Sequence, residues 1–201
     1  MNIARATAWL ISGLFHPLLL GCLLPSSLLF LEQAVQGVSY WASGQALLWT
    51  GMFVVPALLL LMLKKQGRVQ SLMLHIREER NVVYVISFLW FFIFTAMMQL
   101  LSAFGAQSGV YGLLWLNTLS ALILWQVNAR FHKVSAHATA GSALMVYLAF
   151  IFPWKEWIIA MILIFLLVVA ARAVLKAHSM AELISGTVCG ALAAALVLWL
   201  R

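Results

Sequence analysis

The sequence predicts an all-α fold: a polytopic transmembrane bundle of about six or seven helices, forming one integral membrane domain over residues 1–201. Three observations point there. Hydrophobic residues make up 65% of the chain and charged ones 8%, where soluble globular chains carry about 25% charged residues. Mean hydropathy is +1.05, and the apolar residues gather into stretches of roughly 20, each long enough to cross a bilayer as a helix. Trp41, Trp90, Trp115, Trp125, Trp154, Trp157 and Trp199 lie mostly near the ends of those stretches, as an aromatic belt would place them. No length is left for a separate soluble domain.

The apolar pattern divides into spans at about 8–31, 41–63, 83–104, 109–129, 135–152, 155–173 and 180–200. Gly37 is the strong turn former between Glu32 and Tyr40. Gly105 to Gly109 marks the turn between the third and fourth spans. Phe152-Pro153-Trp154 marks the turn between the fifth and sixth, because proline restricts the residue before it. Cys22 and Cys189 both fall inside apolar segments, which indicates neither a disulfide framework nor a metal site. Leu19-Leu20-Gly21-Cys22 has the outline of a lipoprotein cleavage box, but the apolar residues after it suit an uncleaved helix. Gly186 and Gly190 form a small-xxx-small pair in the last span, followed by Ala191, Ala193, Ala194 and Ala195. That pattern suits close helix packing within one bundle.

Counting crossings gives a check independent of any motif. An even number separates the amino-terminal side from the segments at 64–82, 130–134 and 174–179. Of the 12 Lys and Arg residues, Arg5, Lys64, Lys65, Arg68, Arg77, Arg80, Arg130, Lys133, Arg172 and Lys176 all lie on that near side. Lys155 and Arg201 fall opposite. The formal charge of +7 therefore points to anionic headgroups or a phosphorylated lipid, and not to nucleic acid.

Charged groups at membrane depth are expensive, so Arg172, His178 and Glu182 call for a reason. The four-residue spacing of His178 and Glu182 predicts one helical face. A carboxylate there can fix the imidazole tautomer and direct the other ring nitrogen to attack. Arg172, ending the preceding span, offers a planar fork that matches phosphate. Ser135 is a good N-cap for the span containing His137, and amides at a helix start bind anions. His137 in that first turn can protonate a leaving oxygen. Arg77 and Arg80, three apart, can clamp phosphate from one face, unless Glu78 and Glu79 neutralise them as a solvated charged turn. His16, His75 and His132 receive no role.

At these residues the chain resembles the type 2 phosphatidic acid phosphatase superfamily of membrane lipid phosphatases, which shares its core with vanadium haloperoxidases. That family's third motif, Ser-Arg-x5-His-x3-Asp, is matched by Ala171-Arg172-x5-His178-x3-Glu182, with Ala for Ser and Glu for Asp. Of its second, Pro-Ser-Gly-His, Val134-Ser135-Ala136-His137 keeps the Ser and the His. Of its first, Lys-x6-Arg-Pro, Arg80-Asn81 takes the Arg-Pro place. Met73 stands where the lysine belongs, with Arg77 or Lys133 as a replacement charge. The three occur in family order over more than half the chain.

The resemblance implies three loops converging on one phosphate pocket of a helical core. It implies that His178 attacks phosphorus to give a phosphohistidine that water hydrolyses. Glu182 then orients His178, His137 donates the proton, and Arg80, Ser135 and Arg172 hold the phosphoryl oxygens, with Arg77 or Lys133 binding phosphate in place of the family's lysine. No metal or other cofactor is implied. The expected function is hydrolysis of a lipid phosphate or diphosphate monoester, and the alternative is an inactive lipid-phosphate binder or transporter. Excess Lys and Arg would place the near face in the cytoplasm. Bacterial relatives of this type face the periplasm, and the expectation follows the resemblance: a bacterial inner membrane protein with a periplasmic site.

Overall fold

A computed structural model describes residues 3–36, 41–70, 74, 76–104, 108–152 and 154–200, with backbone alone at 33–36, 41 and 42. The expected turns at Gly37, Gly105 and Pro153, and the positions Met73 and His75, lie outside the described residues. Every regular element described is helical: α1 (Ile3–Leu14), α2 (Pro17–Gln36), α3 (Trp41–Trp49), α4 (Val55–Lys65), α5 (Arg77–Leu100), α6 (Val110–Arg130), α7 (Ala136–Ile151), α8 (Lys155–Val174) and α9 (Met180–Trp199). A π-helical turn, Thr50–Val54, joins α3 to α4.

The architecture is a helical, multi-pass membrane one. The segment 43–65, α5, α6, α8 and α9 are each long and apolar enough to cross a bilayer. A sixth span is present when α1 and Pro17–Glu32 are taken together. Two of the seven expected spans therefore differ. The first breaks at Phe15 and His16, because the residue before a proline avoids helical backbone and Pro17 starts a new helix at no hydrogen-bond cost. The fifth, α7, has 16 residues, or about 24 Å of helix against a hydrocarbon core of about 30 Å.

The described residues gather into two compact units, 18–125 and 1–17 with 126–201. In the first, two prolines sit inside membrane helices, and each deprives a carbonyl of its amide donor. Pro25 in α2 cannot serve Gly21 O, and Asn117 Nδ2 of α6 donates to that carbonyl at 3.3 Å. Pro56 follows the π turn, where the backbone donor lies five residues ahead. Gly51 O is thereby orphaned, and Trp90 Nε1 of α5 donates to it at 2.6 Å. Trp90 thus works in the middle of α5, where the sequence suggested an interfacial belt. Gly51 is needed for this approach, since a Cβ there would lie 2.1 Å from the Phe94 ring. Leu48, Met52, Phe91, Phe94 and Leu114 form the surrounding core. At the start of α6, Glu32 accepts from Ser108 Oγ at 2.6 Å and Gly109 N at 2.7 Å, a carboxylate set against the positive end of a helix.

The second unit packs α7 against α9 and α8, and α8 against α1. The Gly186/Gly190 pair works inside the bundle, as the pattern suggested. A Cβ on Gly190 would lie 2.1 Å from Thr139 O, and one on Gly186 would lie 2.7 Å from Ser135 O. Ser142 of α7 crosses the same seam, donating to Thr187 O at 2.9 Å.

Removing either proline-compensating donor should leave a buried carbonyl unanswered. Trp90→Phe and Asn117→Leu are each expected to lower stability by about 1–3 kcal/mol, measured by reversible unfolding in mixed detergent micelles.

Candidate functional site

Six of the eight candidate residues, Lys133, Ser135, His137, Arg172, His178 and Glu182, belong to the unit formed by 1–17 and 126–201. There the start of α7, the end of α8 and the start of α9 come together. Arg77 and Arg80 belong to the other unit, in the first turn of α5. Arg80 is buried, and its Nε donates to Leu74 O at 2.5 Å. Glu79, buried in the same turn, accepts from Gln70 N at 2.9 Å through Oε1.

The turn after α8 explains the spacing between Arg172 and His178. Leu175 caps the helix, and Lys176 takes left-handed backbone at φ 51°. Lys176 N then bonds Ala173 O at 2.9 Å, and Ala177 N bonds Arg172 O at 3.2 Å. This paired closure reverses the chain over the last helical turn and returns His178 toward it. The next helix opens at Met180 with Ser179 as its cap, whose hydroxyl accepts from Glu182 N at 3.3 Å.

His178 therefore precedes α9, and the expected shared helical face is not how the pair meets. In Ser-x-x-Glu caps the glutamate reaches back to the cap residue's own amide. Here Glu182 Oε2 takes His178 Nδ1 instead, at 2.7 Å. The His178 side chain is 2% exposed and that of Glu182 19%. Lys133 Nζ stands 3.9 Å from the same carboxylate oxygen.

Ser135 is fully buried and caps α7, accepting from Ala138 N at 3.4 Å. Its own amide donates to Glu182 O at 3.2 Å, tying the start of α7 to α9. His137, two residues on, lies within electrostatic reach of Arg172, His16 and His178. His137 Nε2 is 3.2 Å from the Ser12 carbonyl, which can only accept, so that nitrogen carries a proton. Arg172, 8% exposed, donates from Nη1 to Ser12 Oγ at 2.7 Å.

Two participants were missed by the sequence reading. Ser12 bridges Arg172 and His137, and His16 sets its ring edge-on to His137 with centroids 5.5 Å apart. The available signal was a serine and a histidine four apart at an apolar segment's interruption, just before Pro17. His132 lies 3.0 Å from Ser185 Oγ on the exposed side of α9.

Chemically, the cluster holds an imidazole oriented by a carboxylate, a second imidazole with its proton on Nε2, and a buried guanidinium. Comparison of the chain with protein-family models, with curated proteins and with solved structures gave no match.

Two substitutions test how the site is positioned. Lys176→Gly relieves left-handed backbone and is expected to raise stability by about 1 kcal/mol. Gly186→Val must push α9 away from Ser135 O, with an expected loss of about 1–3 kcal/mol; both are read by unfolding in mixed micelles.

Proposed function

We propose that this chain is an integral membrane phosphatase that hydrolyses a lipid phosphate or diphosphate monoester through a phosphohistidine. The observation that carries the proposal is the 2.7 Å bond from His178 Nδ1 to Glu182, in the same unit as Arg172 and His137. With Nδ1 held, Nε2 of His178 is the attacking nitrogen.

The steps balance as follows. The Nε2 lone pair forms a bond to phosphorus as the bond from phosphorus to the lipid oxygen breaks. His137, as the imidazolium protonated on both ring nitrogens, gives one proton to that oxygen, which leaves as an alcohol, or as a phosphate monoester from a diphosphate. Water then attacks the phosphohistidine, returns a proton to His137 and releases inorganic phosphate. Arg172 and the amides at the start of α7 stabilise charge on the phosphoryl oxygens. Arg77, Arg80, Lys133 and Ser135 enter the reading as phosphate-holding groups through the resemblance in their motifs. The positive side chains and amide dipoles supply the electrostatic stabilisation, so the reading needs no metal.

A substrate with acyl or isoprenyl tails would keep them in the bilayer while its headgroup reaches the polar end of the unit. We place the protein in a bacterial inner membrane with the site on the periplasmic face. Cysteines introduced in the 64–82 segment should then label in intact cells with a membrane-impermeant maleimide.

The decisive measurement is phosphate release from short-chain phosphatidic acid by the purified chain in detergent with excess chelator. Wild type should turn over and be inhibited by vanadate, and His178→Ala should release nothing. His137→Ala should lose roughly 10²–10⁴-fold in rate. A rapid quench into alkaline denaturant, where a phosphohistidine survives, should trap phosphate label on His178. Phosphate binding without turnover on any lipid phosphate would overturn the enzyme reading and identify a lipid-phosphate binder or transporter instead.

A further inference from the structure

We infer that Ser12, in the last turn of α1 and outside every segment on which the phosphatase resemblance rests, is a positioning residue that sets the phosphate-holding guanidinium of Arg172. The inference rests on the phosphatase reading and adds a fourth chain segment to that site. Ser12 is a polar residue 4% exposed in the half of α1 that follows Thr7, where its neighbours are apolar. A helical hydroxyl commonly turns back onto its own helix, as Thr7 Oγ1 does to Ile3 O at 3.1 Å. The Ser12 hydroxyl serves another helix, accepting from Arg172 Nη1 at 2.7 Å across 160 residues of sequence.

That bond is short because its donor is charged, and it is buried, where such bonds are strongest. A guanidinium is planar and carries five N–H donors. The bond at Nη1 engages one of those donors and restricts how the group can turn. The same residue's carbonyl lies 3.2 Å from His137 Nε2, and its hydroxyl 3.4 Å from that nitrogen. Ser12 thus touches both the group assigned to the phosphoryl oxygens and the group assigned to the leaving oxygen. Their relative placement is held before any substrate arrives. Such preorganisation acts on the transition state more than on ground-state binding.

The test uses the full chain in detergent, with rates expressed per folded protein. Ser12→Ala is expected to lower kcat on short-chain phosphatidic acid about tenfold while KM moves less than about twofold. Inhibition by orthovanadate, which mimics five-coordinate phosphorus, should weaken about tenfold, and inhibition by inorganic phosphate less than about twofold. Ser12→Thr keeps the hydroxyl and should restore both values. Ser12→Cys fills the space with a poor acceptor, should track the alanine variant, and reads the same ratio if alanine does not fold. Unchanged kcat, or vanadate and phosphate affinities moving together, would sink the inference while leaving the phosphatase reading intact. A wild-type protein that neither releases phosphate nor labels His178 would end both.

Discussion

The contact on which the site depends is the backbone-to-backbone approach of α7 and α9. In lipid there is little hydrophobic gain from pressing two apolar helices together, so association rests on close packing and hydrogen bonds. Gly186 and Gly190 supply the closeness, since each lies where any side chain would strike the carbonyl of Ser135 or Thr139. Ser142 adds an interhelical bond along the same seam. With the helices touching, the Ser135 amide reaches the Glu182 carbonyl, and the opening turns of both helices fall side by side. The chain reversal after α8 then brings His178 to Glu182, at the end where Arg172 emerges.

Polar groups in that region answer one another in two short chains. One runs from Arg172 through Ser12 to His137. The other runs from His178 through Glu182 to Lys133. Each charge is thereby placed against a partner, which is what makes ionisable groups tolerable at membrane depth. The same pairings fix ring orientations and restrict how a guanidinium can turn. Under the proposed phosphatase reading, stability and chemistry would draw on one network, and substitutions there would rarely disturb one alone.

Much of this was legible in the residues. The helical class followed from composition, and the apolar spacing located every long span, because a bilayer imposes its thickness on the sequence. His178 and Glu182 were paired correctly from a spacing of four, although the reason lay in a helix cap and not in a helical face. The spacing signal is the same for both, and only the Ser179 cap separates them. Ser12 escaped notice and His16 was left without a role because their part depends on which helices touch, and a lone serine in an apolar run has no periodic signature. The break before His16 was visible in Pro17, but its neighbours were read as one continuous span. Trp90 was misread for a similar reason: tryptophan is so common at interfaces that its indole N–H was not matched to the donor Pro56 removes.

The two internal prolines also set a schedule for assembly. The carbonyl of Gly21 enters the membrane with α2, while its donor Asn117 lies 96 residues later. At ribosomal speed that interval is on the order of ten seconds. Gly51 waits a shorter time for Trp90, 39 residues on. Until those later helices insert, the early ones hold an exposed polar notch in an oily medium, and passing water, lipid headgroups or the insertion machinery must shelter it. Residues 18–125 consequently mature as a unit only once α6 has arrived, however early α2 and α3 became helical.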